Sequence, residues 1–259
     1  EHSAAQYVLG KLYQDGVYFN KDMDQAMKWF RSAAELGNEY AAYRMGCLLL
    51  LGEEIPKDVE AAVKWLSLSA EKGNPYAQYR LGMLYLKGEE YSPQVEVAMK
   101  WLQQAAEQKN EWAFYQLGKL YLSGEHVTKN VETAVHYLGL CAEKGNQYAQ
   151  YVLGKLYLCG RDVSRDREKA VEYLTASAEQ GNLYASFLLE HLDAYQDPSL
   201  FLAATRLLHH LEKLFCEEAQ RPMEMKRYQI DRKRRRKLSE KKQAQGHHRE
   251  DQEPAQGIY

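Results

Sequence analysis

Apolar residues along this chain recur at steps of three and four, in paired blocks separated by short polar stretches. Between about Pro75 and Lys87, Ala77, Leu81, Leu84 and Tyr85 fall on one helical face. Gly88 follows, a residue that tolerates the left-handed conformation just past a helix end. A second block, roughly Val95 to Gln108, places Ala98, Trp101, Leu102, Ala105 and Ala106 on one side. The residues opening these second helices are Asp22, Asp58, Gln94, Asn130 and Asp166. All but Gln94 are good N-caps, able to accept from the free amides of the first turn. The pairs Gly37-Asn38, Gly73-Asn74, Gly145-Asn146 and Gly181-Asn182 end the second helices. Lys109-Asn110 departs from that rule, and there Asn110 is expected to take the left-handed position.

The two-block pattern returns every 36 residues without slippage. Gly10, Gly46, Gly82, Gly118 and Gly154 form one column; Gly16, Gly52, Gly88, Gly124 and Gly160 form another. Ala26, Ala62, Ala98, Ala134 and Ala170 form a third, and Asn38, Asn74, Asn110, Asn146 and Asn182 a fourth. A fixed period in this range marks a solenoid, whose units bury their apolar faces only by stacking. The expected fold is all-α: a right-handed α/α superhelical solenoid of about five helix–turn–helix repeats. Glycine within a helix costs about 1 kcal/mol relative to alanine. The Gly10 column therefore implies close helix approach, together with small residues such as Ala5, Ala33 and Ala34.

The array is expected to cover residues 1–192, with units starting near 2, 38, 74, 110, 146 and 182. The sixth unit has Glu190 where glycine belongs, so the regular stack ends there. Asp197-Pro198 is a strong helix start, followed by Leu200, Ala204, Leu207, Leu208, Leu211, Leu214 and Phe215 at helical steps. Residues 193–220 thus read as a capping helix, apolar toward the last repeat, with a coiled-coil seam as the rival over only about two heptads. Residues 221–259 read as a disordered basic tail.

Charge sharpens this division. Residues 1–195 carry 20 Lys and Arg against 26 Asp and Glu, a balance of −6; residues 196–259 carry 14 against 10, a balance of +4. The cysteines, Cys47, Cys141, Cys159 and Cys216, form no CxxC pair and read as thiols in a reducing compartment. There is no Asn-X-Ser/Thr sequon, and apolar runs such as Leu48–Leu51 are far too short to span a bilayer. The first residues carry no signal-peptide pattern. A soluble, cytoplasmic protein without membrane contact follows as the expectation. Glu1 falls at a repeat seam without an initiator methionine, so a piece of a longer protein is expected.

The columns resemble the Sel-one-like repeat family, relatives of tetratricopeptide repeats. The resemblance rests on Ala77, Leu81, Gly82, Tyr85 and Gly88, then on the A-x-x-W and A-A-x-x-G-N lines, repeated through about residues 1–192. Departures are local: Leu49 replaces the tyrosine, and Tyr137 and Tyr173 replace the tryptophan. The resemblance implies a scaffold or adaptor that recruits a protein partner.

No phosphate-cradling glycine loop, HExxH or GxSxG occurs, so no catalytic residue, cofactor or small-molecule substrate is expected. His247-His248 near Asp251 and Glu253 are read as solvated tail histidines rather than metal ligands, and His209-His210 as partly exposed surface. Two binding candidates remain. One is the column Tyr7, Tyr43, Tyr79, Tyr115 and Tyr151, on the same side as Gln14, Leu50, Leu86, Leu122 and Leu158. Such a stripe suits a groove for a peptide or helix; alternatively it fills the contacts between units. The other is Arg232, Lys233, Arg234, Arg235, Arg236 and Lys237, with Lys241 and Lys242 nearby. Across 221–249 there are 12 Lys and Arg against 3 Asp and Glu, a density that attracts polyanions such as DNA. With Tyr228 as its one aromatic, that stretch offers no base-stacking platform. A solvated like-charged tail or a nuclear targeting signal are the alternatives.

The array, the capping helix and the segment IDRKRRRKLSEKKQAQGHH are together similar to the carboxyl-terminal region of bacterial mobilisation relaxases. That resemblance implies an accessory region of a DNA-nicking enzyme, but nothing here matches the catalytic domain of such enzymes. A free-standing cytoplasmic scaffold is the alternative. The secreted, disulfide-bridged type of Sel-one-like protein has paired cysteines in each unit, which this chain lacks.

Overall fold

The computed structural model describes residues 2–88 and 93–192. The expected capping helix at 193–220 and the tail at 221–259, with its eight candidate cations, lie outside the described residues. Eleven helices and no strand occur among those described: α1 Ser3–Asp15, α2 Met23–Glu35, α3 Glu39–Leu51, α4 Val59–Glu71, α5 Pro75–Lys87, α6 Val95–Glu107, α7 Glu111–Ser123, α8 Val131–Glu143, α9 Gln147–Cys159, α10 Arg167–Glu179 and α11 Leu183–Glu190. The odd-numbered helices α1 to α9 are the first helices of five hairpins, and the next even-numbered helix completes each unit. Every unit packs on its neighbour through its second helix and the following first helix, which is the solenoid arrangement.

Helix ends fix the constant repeat length. Asp22, Asp58, Asn130 and Asp166 accept from the amides of Gln25, Ala61, Thr133 and Lys169, while Gln94 caps nothing with its side chain. The asparagine column does more than end second helices: each asparagine opens the next first helix. Asn38 and Asn110 accept from Ala41 and Ala113; Asn74, Asn146 and Asn182 each accept from two successive amides. Each such cap is worth about 1 kcal/mol. The first helices stop at Gly16, Gly52, Gly88, Gly124 and Gly160, whose φ values of 63° to 68° suit glycine.

One expectation is corrected here. At the third seam Lys109, not Asn110, takes the left-handed conformation, with φ 61°. Asn110 has to remain extended, at φ −69°, to cap α7, so the left-handed position stays in register with Gly37, Gly73, Gly145 and Gly181. A side chain in that conformation costs about 1 kcal/mol. Lys109→Gly is therefore expected to stabilise the protein by about 1 kcal/mol. A thermal melt reads this as a rise of a few degrees, and an unchanged or lower midpoint would contradict it.

The core is a row of apolar clusters between the two helix layers. Phe30, Leu66, Leu102, Leu138 and Leu174 are fully buried, one per unit. Each lies against the Gly10-column glycine of its own unit; a Cβ on Gly82 would come within 2.7 Å of Leu102 Cγ. Burial of Ala33 and Ala34 supports the close approach, whereas Ala5, on the first helix, is exposed.

The polar seams alternate in a way the 36-residue columns alone hide. Gln78 donates to the Ala70 carbonyl and accepts from Gln108, and two units later Gln150 donates to Ala142 and accepts from Gln180. In the intervening unit Phe114 replaces the glutamine, and the Lys144 ammonium lies over its ring and donates to the Lys109 carbonyl.

Candidate functional site

The first helices carry an aromatic strip along their outward arc. Tyr7, Tyr43, Tyr79 and Tyr115 are half-buried and Tyr151 is buried, so each ring is anchored rather than free. What anchors them is a second aromatic column that the sequence reading passed over: Tyr40, Tyr76, Trp112, Tyr148 and Tyr184, also spaced by 36. Tyr7 meets Tyr40 at 6.4 Å between ring centroids, Tyr43 meets Tyr76 at 6.2 Å, Tyr115 meets Tyr148 at 6.4 Å and Tyr151 meets Tyr184 at 6.0 Å. The planes are tilted by 42° to 50°, a geometry that favours the edge of one ring against the face of another. The signal for this column was present in the sequence, since tyrosine or tryptophan follows each capping asparagine by two positions.

The leucine side of the expected stripe is mixed: Leu50 and Leu122 are half-buried. Leu86 and Leu158 are buried, and Gln14 is buried while accepting from the Arg44 guanidinium at 2.8 Å. The outward surface is thus mainly aromatic and cationic. Tyr40 and Tyr76 each keep 50% of their surface exposed. Lys11, Lys119 and Lys155 stand over the rings of Tyr7, Tyr115 and Tyr151 at 5.9, 5.7 and 5.9 Å. Burial raises the hydroxyl pKa of Tyr79, with Arg80 and a hydrogen bond to Gln116 opposing it, so that phenol stays neutral.

Cys47, Cys141 and Cys159 form no disulfide among the described residues, and Cys47 and Cys141 are buried. Burial, helped by Glu111, pushes the Cys141 thiol up to about 12, and burial also raises Cys159, which disfavours a nucleophilic thiolate at both. Cys141 instead donates to the Glu111 carbonyl, as Ser69 and Ser177 do to Glu39 and Gln147, tying the two helices of a unit together. A shallow open depression of about 460 Å³ lies where units two and three meet, lined by Gln78, Trp101, Gln104 and Gln108 among others. Gln78 and Gln108 there are already paired with each other and with the Ala70 carbonyl. Among the described residues no group of three or more His, Cys, Asp or Glu could hold a metal, and no helix is long and apolar enough to cross a membrane.

Comparison with known proteins agrees with this architecture. The Sel1 repeat model matches residues 3–38, 39–74, 75–110, 113–146 and 147–182. No curated protein matches the chain. Among solved structures, c5321, a protective antigen of uropathogenic Escherichia coli displaying an SLR fold, is 32% identical with a TM-score of 0.70. That match covers 73% of this chain, and the chain spans 41% of that protein. A Sel1 repeat protein from Oxalobacter formigenes is 30% identical, with a TM-score of 0.67, over 81% of this chain and 88% of that one. Five consecutive repeat matches coincide with five helical hairpins stacked in one solenoid, and the chain belongs to the Sel1 repeat family.

Proposed function

We propose that this chain is a non-catalytic docking scaffold and that its protein partner lies along the aromatic strip of the first helices. The observation that carries this reading is the strip itself: two aromatic columns that meet at the junctions between successive units, with Tyr40 and Tyr76 half exposed. Aromatic side chains of this kind dominate interface energetics, because they contribute large rigid area at low entropic cost. The buried thiols Cys47 and Cys141, which form no disulfide, suit a reducing compartment, which supports action in the cytoplasm.

The test uses the purified chain and a Tyr40→Ala/Tyr76→Ala variant as baits against extract of the source cells. A partner retained in stoichiometric amount by the parent and lost by the variant is expected, with both proteins melting alike. Equal retention of that partner by the two baits would sink the strip as the docking surface.

A second reading concerns the tail, and the run Arg232–Lys237 with Lys241 and Lys242 favours it. In this reading the tail holds DNA without sequence preference while the array docks transfer machinery, as the accessory region of a mobilisation relaxase. Removal of residues 221–259 then abolishes retention of a labelled DNA duplex, and retention by the intact chain falls steeply with added salt. Undiminished DNA binding by the truncated chain would leave the free-standing scaffold.

A further inference from the structure

The docking strip differs in charge from the rest of the array. Over α1, α3, α5, α7 and α9 the first helices carry Lys11, Arg44, Arg80, Lys87, Lys119 and Lys155 against Asp15, Glu39 and Glu111. All of these are exposed or half-buried. The second helices reverse the balance, with six Lys and Arg against eleven Asp and Glu over α2, α4, α6, α8 and α10. The two layers thus carry equal numbers of cations, and the first helices are net positive because their acids are few; every unit from one to five supplies at least one of their cations.

Successive first helices are near enough for their tyrosine rings to meet at 6.0 to 6.4 Å between centroids, so cations of neighbouring units lie within reach of a few residues of extended chain. We infer that the strip binds an extended acidic segment of a partner protein, with carboxylates every few residues and apolar side chains between. The carboxylates meet the strip cations unit by unit, and the apolar side chains rest on the exposed edges of Tyr40 and Tyr76. This deepens the docking reading above and rests on it. The ring geometry favours a peptide over single-stranded nucleic acid. Base stacking needs a run of open ring faces, but lysines cover those of Tyr7, Tyr115 and Tyr151, which leaves Tyr40 and Tyr76 as the most open rings of the strip, on two adjacent units.

The probe is a fluorescein-labelled peptide of five Glu-Leu-Ser triplets, titrated with the whole chain and read by anisotropy. A Lys-Leu-Ser peptide and an oligothymidine of similar length serve as the competing chemistries. Saturable binding of the Glu peptide alone is expected, weakening as salt screens the charges. Lys119→Glu/Lys155→Glu is expected to lower affinity at least about tenfold. Lys119→Gln/Lys155→Gln, which removes charge without adding repulsion, is expected to give a smaller loss in the same direction. Lys64→Glu/Lys100→Glu, on the second helices, is expected to leave affinity unchanged.

No binding of the Glu peptide, an equal loss from the Lys64/Lys100 variant, or preference for the oligothymidine would each overturn the inference. The two levels separate cleanly. A partner captured through Tyr40 and Tyr76, with no binding of the Glu peptide, removes the acidic chemistry and leaves the docking surface. A partner indifferent to the tyrosine variant removes the docking surface itself.

Discussion

Gly82→Leu is expected to disrupt the centre of the array, costing at least about 3 kcal/mol, the upper end of what overpacking a core produces. The side chain would begin where a Cβ already lies 2.7 Å from Leu102 Cγ and 2.9 Å from its Cδ2, inside normal contact. Leu102 has no room to retreat, since it is fully buried. The third neighbour is decisive: the Ala98 backbone carbonyl stands 3.1 Å away, and it moves only if α6 moves. Shifting α6 disturbs its packing on both α5 and α7, so damage spreads to the next unit. Circular dichroism on heating is expected to show a midpoint lowered by many degrees or a separate early transition. A melt superimposable on the parent would mean that the glycine column serves some purpose other than close packing.

The fold was legible because one physical constraint was written five times. A repeat that must stack on copies of itself repeats its caps, its small residues and its core leucines at one spacing, and no pairing over long sequence distance has to be inferred. Asp22, Asp58, Asn130 and Asp166 were readable as caps because their side chains act within three residues. Asn110 was misplaced for a related reason. Asparagine suits both the left-handed position and the N-cap, and only the presence of α7 immediately after it decides between them. A lysine at φ 61° contradicts local preference, so propensity pointed away from Lys109.

The candidate site was half legible. A helical wheel places Tyr7 and its column on a side shared with Gln14 and Leu86, but it cannot say which part of that side the next unit covers. Leu86 and Leu158 are covered, while Tyr40 and Tyr76 remain open. That outcome depends on how neighbouring units are offset, which is a property of the stack rather than of one helix. Alternation of Gln78 and Gln150 with Phe114 was hidden because averaging over single repeats erases a two-unit period.

Leu102→Ala carries the second large effect. Removing a fully buried leucine side chain costs about 2 to 5 kcal/mol, part as lost transfer energy and part as the cavity left behind. Gly82 makes that cost adjustable. With Leu102 intact, Gly82→Ala places its Cβ against Cγ and destabilises, although alanine recovers about 1 kcal/mol of helix propensity. With Leu102 trimmed, the same Cβ projects into the space just vacated and restores part of the lost contact. The double variant is therefore expected to be more stable than the sum of the single losses by about 1 to 2 kcal/mol, within the range for residues in direct contact. Leu102→Ala combined with Gly154→Ala is the control. Gly154 faces Leu174 in another unit, so those two losses are expected to add. Denaturant melts of the single and double variants measure both cycles. Additivity in the Gly82 cycle, within about 0.5 kcal/mol, would refute the claim that each glycine exists to seat the leucine of its own unit.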